Sequence, residues 1–390
     1  MIGINVLNCM QDSRFGGPHQ RSSTMARACY KYGIRTCFLM GKKDRTPVPI
    51  ADFPCFYLKY LQCIRRKGFL FNLFMFLLYL PLNILRISRL ITSEGIDIVH
   101  VNGIINVVPA IAAIIRRKPI IWHYNGGDVP EPVRALFCPV IALLADRVVI
   151  QGQKVGEQYL KMSHNLWSKA KIIYSAVDKS IFSPNNVEKG RREQIRADFG
   201  VPEACFLVGS IGNINPCKGL EFFIQAARHI RNEIDNAKFL IVGASLESKQ
   251  QYFHRLERLV SDLNLEDDVI FTGFRGDIPD ILSALDAFVL SSVSEACPNV
   301  VLEAISMKVP VVATDVGAVT EMISSGRSGF VVPPGDSDAI AEHVITLTRM
   351  SKDDILGLLQ KAQEKTSRLF SIDYTSRQQA RMYVCLARQR

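Results

Sequence analysis

The sequence lacks the short motifs that identify several common classes of protein. None of its ten cysteines lies in a Cys-x-x-Cys pair, so neither a zinc site nor a redox motif is predicted. It has no helix-turn-helix, zinc-finger or RNP-like pattern, which argues against nucleic acid as a partner. A Walker A loop and a Gly-x-Gly-x-x-Gly motif are also missing. The sequence therefore gives no sign of a common metal, redox, nucleic-acid or nucleotide motif. Any ligand-binding loops must follow other sequence patterns.

Two further absences concern targeting and metals. The chain opens on the apolar run "IGINVLN", without the basic start and cleavage site of a signal peptide, so we expect a cytoplasmic protein with reduced cysteines. The one Asp-x-Asp motif, "DSD" at 336–338, precedes the helical pattern "AIAEHVITL" and is typical of a helix cap. We therefore expect no metal and no cofactor.

Positive charge is concentrated in the first half of the chain. Residues 1–180 contain 24 Lys and Arg against 10 Asp and Glu, whereas residues 181–390 contain 23 against 27. The net charge of +10 thus comes entirely from the first half. An excess of Lys and Arg of this kind favours an anionic partner, for example a phospholipid surface or a phosphorylated acceptor. A basic surface that only aids solubility would have the same composition.

An apolar segment lies within that basic half. It runs over 69–80 and is expected to end at Pro81. Because it is shorter than the roughly 18 residues that a membrane-spanning helix needs, we do not expect it to cross a bilayer. It fits either a helix in the membrane interface or a buried helix pair of an ordinary domain. Four basic residues precede it: Lys59, Arg65, Arg66 and Lys67.

Strand-like and helix-like segments alternate along almost the whole chain. The first half contains "GINVLN", "TCFLMG", "IDIVHVNG", "PIIWHYNG", "DRVVIQG" and "KIIYSAV", and the second contains "CFLVGSIG", "KFLIVGA", "VIFTGF", "AFVLSS", "PVVATDV" and "GFVVPPG". Continuous Val, Ile and Leu runs are typical of parallel strands that helices cover on both faces. The sequence therefore predicts an α/β protein with two doubly wound domains, joined by the polar stretch at 177–194.

Two glutamates in "SEACPNVVLEA" flank a predicted strand-to-helix turn. Glu295 lies in the loop, and Glu303 lies within a helix that is expected to begin at Pro298. The unpaired backbone NH groups of that helix start, near Asn299 and Val300, form an anion site between the two carboxylates. Carboxylates beside a phosphate site suit the recognition of sugar hydroxyls, but two solvated glutamates on a helix surface have the same spacing.

Two other loops follow predicted strands, where doubly wound sheets bind their ligands. Gly16 and Gly17 separate the first strand from a helix, so the backbone can approach a ligand and offer NH groups to phosphate. Lys218 precedes a helix that is expected to begin near Gly219, where backbone NH groups converge on an anion. Each has an ordinary alternative, a plain turn for the glycines and a surface position for the lysine.

Taken together, "GNINPCKG", "SEACPNVVLEA", "PVVATDVGAVTEMI" and "GFVVPPGD" resemble the successive motifs of glycosyltransferase family 4. The paired glycines, "IDIVHVNG", "IIWHYNGGD" and the final "FSIDYTSRQQARMYV" follow the order of the same family, so the resemblance covers nearly the whole chain. It implies a retaining enzyme of the GT-B fold, in which two doubly wound Rossmann-like domains face each other across a cleft. The domains would span 1–180 and 181–370, and a C-terminal helix at 371–390 would return to the first domain.

The resemblance also implies roles for individual residues. Glu303 would accept hydrogen bonds from the ribose of the nucleotide, and Glu295 would approach the donor sugar as a catalytic residue. Lys218 would neutralise the diphosphate as it leaves. His123, in "IIWHYNGGD", matches the family's first-domain histidine near the reacting carbon. The remaining donor-binding residues would be Gly16, Gly17, Asn213, Pro298, Asn299 and Val300.

The sequence departs from the family pattern at three places. Asn213 stands where similar sequences carry an arginine beside the glycine, so one charged contact to phosphate is lost. Ser175 and Ala176, in "YSAVD", replace the usual Asn-Gly. Asn125 stands where the family often has a second histidine, which leaves the catalytic register at His123 open.

The function implied by the resemblance is the transfer of a sugar from a nucleotide-diphosphate sugar to a hydroxyl of a glycan or lipid-linked acceptor. The anomeric configuration would be kept, and no metal would be needed. Synthesis of cell-surface polysaccharide or lipopolysaccharide is the expected setting, with an anionic membrane surface as a partner of the basic half. Two alternatives stay open: a nucleotide-sugar epimerase of the same fold, and an inactive relative that binds glycans or partners.

Overall fold

The computed structural model describes residues 3–10, 16–41, 52–61, 69–124, 129–160, 164–245 and 249–389. The chain divides into two compact units, the first made of Met1–Ser175 with Ile372–Arg390 and the second of Ala176–Ser371. The first boundary lies shortly before the expected one at residue 180. The second unit is therefore one continuous stretch, whereas the first is assembled from both ends of the chain.

The described residues form thirteen strands and fifteen α-helices, which alternate along most of the chain. The strands are β1 (Ile4–Cys9), β2 (Ile34–Met40), β3 (Cys55–Tyr57), β4 (Ile98–Asn102), β5 (Ile120–His123), β6 (Arg147–Ile150), β7 (Ala170–Ile172), β8 (Phe206–Ile211), β9 (Ala237–Val242), β10 (Val269–Gly273), β11 (Ala287–Leu290), β12 (Val311–Thr314) and β13 (Phe330–Val332). The helices are α1 (Gly17–Tyr30), α2 (Phe69–Ser93), α3 (Val107–Ile115), α4 (Glu131–Leu144), α5 (Gln153–Leu160), α6 (His164–Lys169), α7 (Arg191–Asp198), α8 (Leu220–Glu233), α9 (Gln250–Asp262), α10 (Ile278–Ala284), α11 (Asn299–Ser306), α12 (Val319–Met322), α13 (Ser337–Arg349), α14 (Lys352–Leu369) and α15 (Ile372–Arg388).

Each unit is built on one parallel sheet. The order in the first unit is β3-β2-β1-β4-β5-β6-β7, and the order in the second is β10-β9-β8-β11-β12-β13. In both, the strand order reverses beside the unit's first strand, the arrangement of a doubly wound sheet. All twelve predicted strand segments are present, which confirms the α/β class and the two Rossmann-like units. The short edge strand β3 is additional.

The C-terminal helix α15 completes the core of the first unit. Tyr383 and Leu386 of this helix pack with Ile98 of β4, Ile121 of β5 and Cys29 of α1 in one buried cluster. Because those partners come from the first third of the chain, α15 is a structural part of the first unit.

The apolar segment forms a longer helix than the sequence predicts. α2 continues through Pro81 and has 25 residues. A proline inside a helix removes a backbone hydrogen bond and costs about 3 kcal/mol. Beyond the proline, however, Ile87 is buried and the buried amide of Asn83 donates to the carbonyl oxygen of Lys59 at 2.9 Å. This packing offsets the cost and explains why the expected helix end at Pro81 is wrong.

The length of α2 also corrects the expectation that the segment is too short to span a membrane. Leu70–Ser93 is long and apolar enough to do so by length and composition, and only 11% of its apolar window is buried. The same helix nevertheless contributes Asn83, Ile87 and Ile91 to the interior of the first unit. Three of the basic residues expected to precede it, Arg65, Arg66 and Lys67, lie outside the described residues.

The polar stretch at 177–194 is not a free linker. It belongs to the second unit, where Arg191 at the start of α7 pairs with Asp280 at 2.8 Å and Arg192 pairs with Asp286 at 2.7 Å. The sequence predicts a linker here because the arginines make the stretch polar. Their carboxylate partners lie about 90 residues further along, so the sequence does not show that the arginines are paired. Polar composition alone does not reveal such pairing.

Candidate active site

The site in the second unit is built from loops at the carboxyl ends of neighbouring strands. Before α8, the loop after β8 contains a short 3-10 turn over Pro216–Lys218. The loop after β11 lies against it, because the NH of Val293 donates to the carbonyl oxygen of Cys217 at 2.8 Å and the Ser291 hydroxyl donates to that of Lys218 at 3.0 Å. These bonds fix the two loops to each other.

Lys218 and Glu295 meet where these loops join. The Nζ atom of Lys218 lies 2.6 Å from Oε1 of Glu295, and the Ser292 hydroxyl donates to the same oxygen at 2.9 Å. The side chains are only 22% and 17% exposed. A charge-assisted bond in such a place holds the ammonium group in one position. The sequence predicts both residues as site residues, but it does not predict that they pair.

The helix α11 begins beside this ion pair. Pro298 is its N-cap, with an extended ψ of 105°, so the helix starts one residue later than expected, at Asn299. The NH groups of the first helical turn have no carbonyl four residues earlier inside the helix, which leaves those of Asn299 and Val300 available to an anion. Pro298 therefore lies outside the helix, and the binding of an anion by Asn299 and Val300 stays a prediction.

Glu303 lies on the same helix as that cradle. It follows Asn299 by four positions and therefore occupies the same face of α11. Its side chain is 6% exposed. A buried carboxylate on a face that starts at an anion site is placed to accept hydrogen bonds from a polyol. Neither glutamate is solvated in the manner of a surface residue, since Glu295 is 17% exposed and Glu303 is 6% exposed, and their contact with a sugar stays a prediction.

Asn213 follows a glycine at the end of β8. Gly212 has φ of +154°, and a Cβ atom built there would lie 2.9 Å from Cε of Lys218. Asn213 is half-buried, and its carbonyl oxygen accepts from the Asn215 side chain at 3.3 Å. Asn215 in turn caps the 3-10 turn by accepting from the NH of Cys217 at 2.9 Å. Asn213 thus lies on the loop that carries Lys218, and its contact with a donor stays a prediction.

Gly317, which sequence reasoning did not single out, supports the Glu295 loop from the loop that follows β12. It has φ of +53°, and a Cβ atom there would lie 2.2 Å from the carbonyl oxygen of Ala296 and 2.6 Å from that of Glu295. The next residue, Ala318, donates its NH to Ala296 at 2.8 Å. The glycine within the quoted motif "TDVGAVTE" was the available signal.

In the first unit, the paired glycines begin α1. Gly16 is the N-cap, Gly17 is the first helical residue, and the carbonyl oxygen of Gly16 accepts from the NH of His19 at 2.9 Å. A Cβ atom at Gly17 would meet no atom of the described residues within 4 Å. Internal packing therefore does not require glycine at this position, and its role in ligand approach stays a prediction.

His123 ends β5 and is completely buried. Its Nδ1 atom lies 3.2 Å from Nη1 of Arg21 on α1 and 3.3 Å from Nε2 of His100 on β4. Burial lowers the pKa of His123 well below the usual range, and the charge of Arg21 and the neighbouring His100 lower this pKa further. The ring is therefore neutral at physiological pH. Asn125, the alternative catalytic position, lies outside the described residues.

Arg21 and His100 are polar residues that the sequence analysis missed. Both are buried, and His100 interrupts the apolar run of β4 in "IDIVHVNG". A histidine in the middle of a buried strand requires a polar partner, which was the available signal. Here Nδ1 of His100 lies 2.7 Å from the hydroxyl of Tyr383 on α15.

Comparison with known proteins relates both halves of the chain to sugar transfer. A model described as "Glycosyltransferase Family 4" matches residues 17–180, and one described as "Glycosyl transferases group 1" matches residues 205–350. The UDP-Gal:alpha-D-GlcNAc-diphosphoundecaprenol alpha-1,3-galactosyltransferase of Escherichia coli is 25% identical over 72% of each chain. The N-acetyl-alpha-D-glucosaminyl L-malate synthase of Bacillus anthracis is 25% identical over 68% of each chain.

A solved structure shares the fold. HepE from Anabaena superposes with a TM-score of 0.82 at 21% identity, covering 98% of this chain and 100% of that one. This likeness agrees with the two parallel sheets described above and shows the GT-B fold. The two family models together match more than half of the chain, one in each half. The chain therefore belongs to glycosyltransferase family 4 and is a glycosyltransferase of the GT-B fold.

Proposed function

We propose that the protein transfers a hexose from a UDP-sugar to a hydroxyl of a glycan or lipid-linked acceptor, with retention of the anomeric configuration. The observation that carries this proposal is the Lys218–Glu295 ion pair beside the first turn of α11. It combines a fixed cation and free NH groups, which suit a diphosphate, with carboxylates, which suit sugar hydroxyls. Cell-surface polysaccharide or lipopolysaccharide synthesis is the proposed setting.

The choice of uridine diphosphate rests on the relatives. HepE has been crystallised with UDP and with UDP-glucose, and the name of the Escherichia coli relative states a UDP-galactose donor. In this chain Glu303 would accept hydrogen bonds from the ribose, while Asn299 and Val300 would donate to the diphosphate. From the first unit, Gly16 and Gly17 would add backbone contacts.

Binding of the nucleotide should depend on Glu303. We expect UDP to bind and GDP to bind more weakly, and Glu303→Gln to weaken UDP binding by about 10- to 100-fold, because a charged hydrogen bond is worth about 1.5–3 kcal/mol. Isothermal titration calorimetry measures this directly. Glu257→Gln, which changes an exposed carboxylate of α9 in the same unit, is the control and should bind like the wild type.

Three results would contradict the proposal. Binding of neither nucleotide would favour an inactive relative that binds glycans or partners. Release of a free epimerised sugar without any acceptor would favour a nucleotide-sugar epimerase. Tight UDP binding that survives Glu303→Gln would show that the ribose lies elsewhere.

Transfer is proposed to need no metal. The charge that develops on the leaving diphosphate would be met by the ammonium group of Lys218 and by the N-terminus of α11, fixed groups that act most strongly where water is excluded. We therefore expect the rate of UDP release to be the same after treatment with EDTA as before, within about twofold. A loss that added Mg²⁺ or Mn²⁺ restores would contradict this.

The acceptor is proposed to be presented at the cytoplasmic face of a membrane, where α2 would lie in the lipid interface. Six large apolar side chains of this helix are more than half exposed, and each of the first five lies three or four residues from another of them. They are Leu70, Phe71, Phe74, Leu77, Leu78 and Leu85. Arg86 and Arg89 are exposed further along the same helix and suit anionic headgroups. The net charge of residues 1–180 supports the same choice.

An interfacial position is favoured over a spanning one because α2 is part of the first unit. Its buried Asn83 bonds to the backbone of Lys59 and Tyr60, and Ile87 lies in the interior. To span a bilayer, the helix would have to expose these groups to lipid, where an unsatisfied amide is costly.

Removing part of the apolar face should weaken binding to membranes. We expect Phe71→Ser with Leu78→Ser to lower binding to vesicles that contain anionic phosphatidylglycerol by about tenfold or more, since each buried apolar side chain is worth about 1.5–3 kcal/mol. Phe274→Ser with Leu356→Ser removes equally exposed side chains of the same types from the second unit and serves as the control. Cosedimentation measures both, and equal binding of the two variants would exclude this face as the contact.

A further inference from the structure

A chain of buried polar side chains runs through the first unit. Arg21 on α1 and His100 on β4 both lie within hydrogen-bond reach of Nδ1 of His123. The other nitrogen of His100 lies 2.7 Å from the Tyr383 hydroxyl, and the Gln379 amide lies 2.8 Å from that hydroxyl. Each of the five side chains is at most 5% exposed. Four elements of structure, α1, β4, β5 and α15, contribute to the chain.

The direction of each hydrogen bond follows from the arginine. A guanidinium group has only donors, so Nδ1 of His123 has to accept. A neutral imidazole carries one proton, and that proton must then lie on Nε2 of His123. Nε2 of His100 also lies beside this unprotonated Nδ1. Two unprotonated nitrogens would repel each other, so His100 must carry its proton on Nε2 and donate it to His123.

The remaining bonds are then fixed as well. Burial lowers the pKa of His100 to about 3, with a further contribution from Arg21, so His100 is neutral at physiological pH. Its Nδ1 is therefore bare and accepts from the Tyr383 hydroxyl. The oxygen of Tyr383 in turn accepts from the Gln379 amide. Every proton in the chain thus points towards His123.

One donor remains at the end of this chain. Nε2 of His123 is buried and has no hydrogen-bond partner among the described residues. His123 is the last residue of β5, at the carboxyl edge of the sheet, where ligands of doubly wound folds bind. A buried NH group without a partner costs free energy, so its persistence suggests that a ligand oxygen accepts from it.

We propose that Arg21, His100 and Tyr383 are positioning residues that hold His123 in its Nε2–H tautomer, so that His123 meets an oxygen of the sugar substrate as a neutral hydrogen-bond donor. This role rests on the proposed function. It differs from that of a general base, which needs a bare Nε2. A bare Nε2 would put the proton on Nδ1, directly against the NH groups of Arg21 and His100.

The tautomer can be observed without any substrate. In protein labelled with ¹⁵N-histidine, two-bond proton–nitrogen spectra distinguish the two neutral forms from the charged ring, and His123→Gln identifies the signals of His123. We expect a protonated Nε2 and a bare Nδ1 between about pH 6 and pH 8, since the neutral form is held by burial. A protonated Nδ1, or a charged ring, would overturn the proposal.

A matched pair of variants tests the role of Arg21. Arg21→Met removes the donor but keeps an unbranched side chain, whereas Arg21→Lys keeps a donor. We expect the first to give a mixture of His123 tautomers and the second to restore the Nε2–H form. If Arg21→Met leaves the tautomer unchanged, Arg21 does not position the ring.

Two further pairs test the consequence for catalysis, measured as UDP release from UDP-glucose or UDP-galactose, whichever the wild type uses. His123→Gln keeps an NH donor and should retain activity within about tenfold, whereas His123→Leu should lose about 100-fold or more in kcat. Equal loss in both would overturn the donor role. Tyr383→Phe should lower kcat several-fold, and Tyr30→Phe, a change of an exposed tyrosine on α1, should not.

The two proposals fail in different ways. The tautomer measurement needs no nucleotide and concerns the first unit alone. UDP binding depends mainly on residues of the second unit, so it tests the proposed function separately, and thermal unfolding checks that the His123 variants are folded. A wrong tautomer with intact UDP binding would overturn the donor role and leave the proposed function standing.

Discussion

Lys218→Met is expected to lower kcat by about 100- to 1,000-fold, the loss that follows removal of one fixed group facing a developing charge. In the wild type the ammonium group lies 2.6 Å from Glu295, in a position set by two hydrogen-bonded loops. The substitution removes the cation that would stabilise the leaving diphosphate. It also leaves the carboxylate of Glu295 without its partner beside an anion site, where it would repel the substrate.

Lys238→Met provides a close control for this experiment. Nζ of Lys238 pairs with Asp268 at 2.9 Å, and its side chain is 23% exposed, compared with 22% for Lys218. Lys238 lies near the amino end of β9, at the opposite edge of the sheet from the candidate site. We expect its variant to keep kcat within about twofold, because it loses an ion pair but no group that faces the substrate. If Lys218→Met keeps more than a tenth of the wild-type kcat, Lys218 does not stabilise the leaving diphosphate.

Gly317→Ala is expected to destabilise the protein by about 2–5 kcal/mol and to lower kcat by about 100-fold. The left-handed backbone at φ of +53° disfavours alanine, and the added Cβ would lie 2.2 Å from the carbonyl oxygen of Ala296. Relief of this clash requires movement of the loop that holds Glu295. Chemical denaturation measures the first effect, and UDP release from folded protein measures the second.

Gly326→Ala separates backbone strain from the clash. Gly326 also has a left-handed backbone, with φ of +73°, but in the described part of the chain no atom lies within 4 Å of its ideal Cβ position. Its alanine variant should lose only about 1–2 kcal/mol, the cost of the backbone alone, and keep its activity. If the two variants lose stability and activity equally, Gly317 does not support the Glu295 loop.

The fold could be predicted from the sequence because its strands are buried on both faces. β9 and β11, for example, contain the continuous apolar runs "FLIV" and "AFVL", and every residue of these runs is buried. β3 was missed because it has three half-buried residues at a sheet edge and thus no such run. The end of α2 was misplaced because proline ordinarily stops a helix, whereas burial of Asn83 and Ile87 keeps this one intact.

The sequence indicates the individual candidate residues of the site, but it does not indicate the contacts between them. Lys218 and Glu295 are 77 positions apart, and their pairing depends on how two loops meet at neighbouring strands. Asn299 and Glu303, by contrast, share a helical face, which spacing alone reveals. The polar chain behind His123 joins α1 to α15 across most of the sequence, so the histidine in β4 indicates that a polar partner is needed but no local pattern predicts which one.

The return of α15 to the first unit has a consequence for biosynthesis. A nascent chain emerges from the ribosome N-terminus first, and domains usually fold in that order. Here the second unit, Ala176–Ser371, is continuous and can fold as soon as it has emerged, whereas the first unit still lacks α15 at that time. The part of the protein that is synthesised first is therefore completed last. Until Tyr383 has been added, the apolar side chains that α15 covers, among them Ile98 and Ile121, stay exposed, and this is the interval in which the newly made chain most needs protection from aggregation.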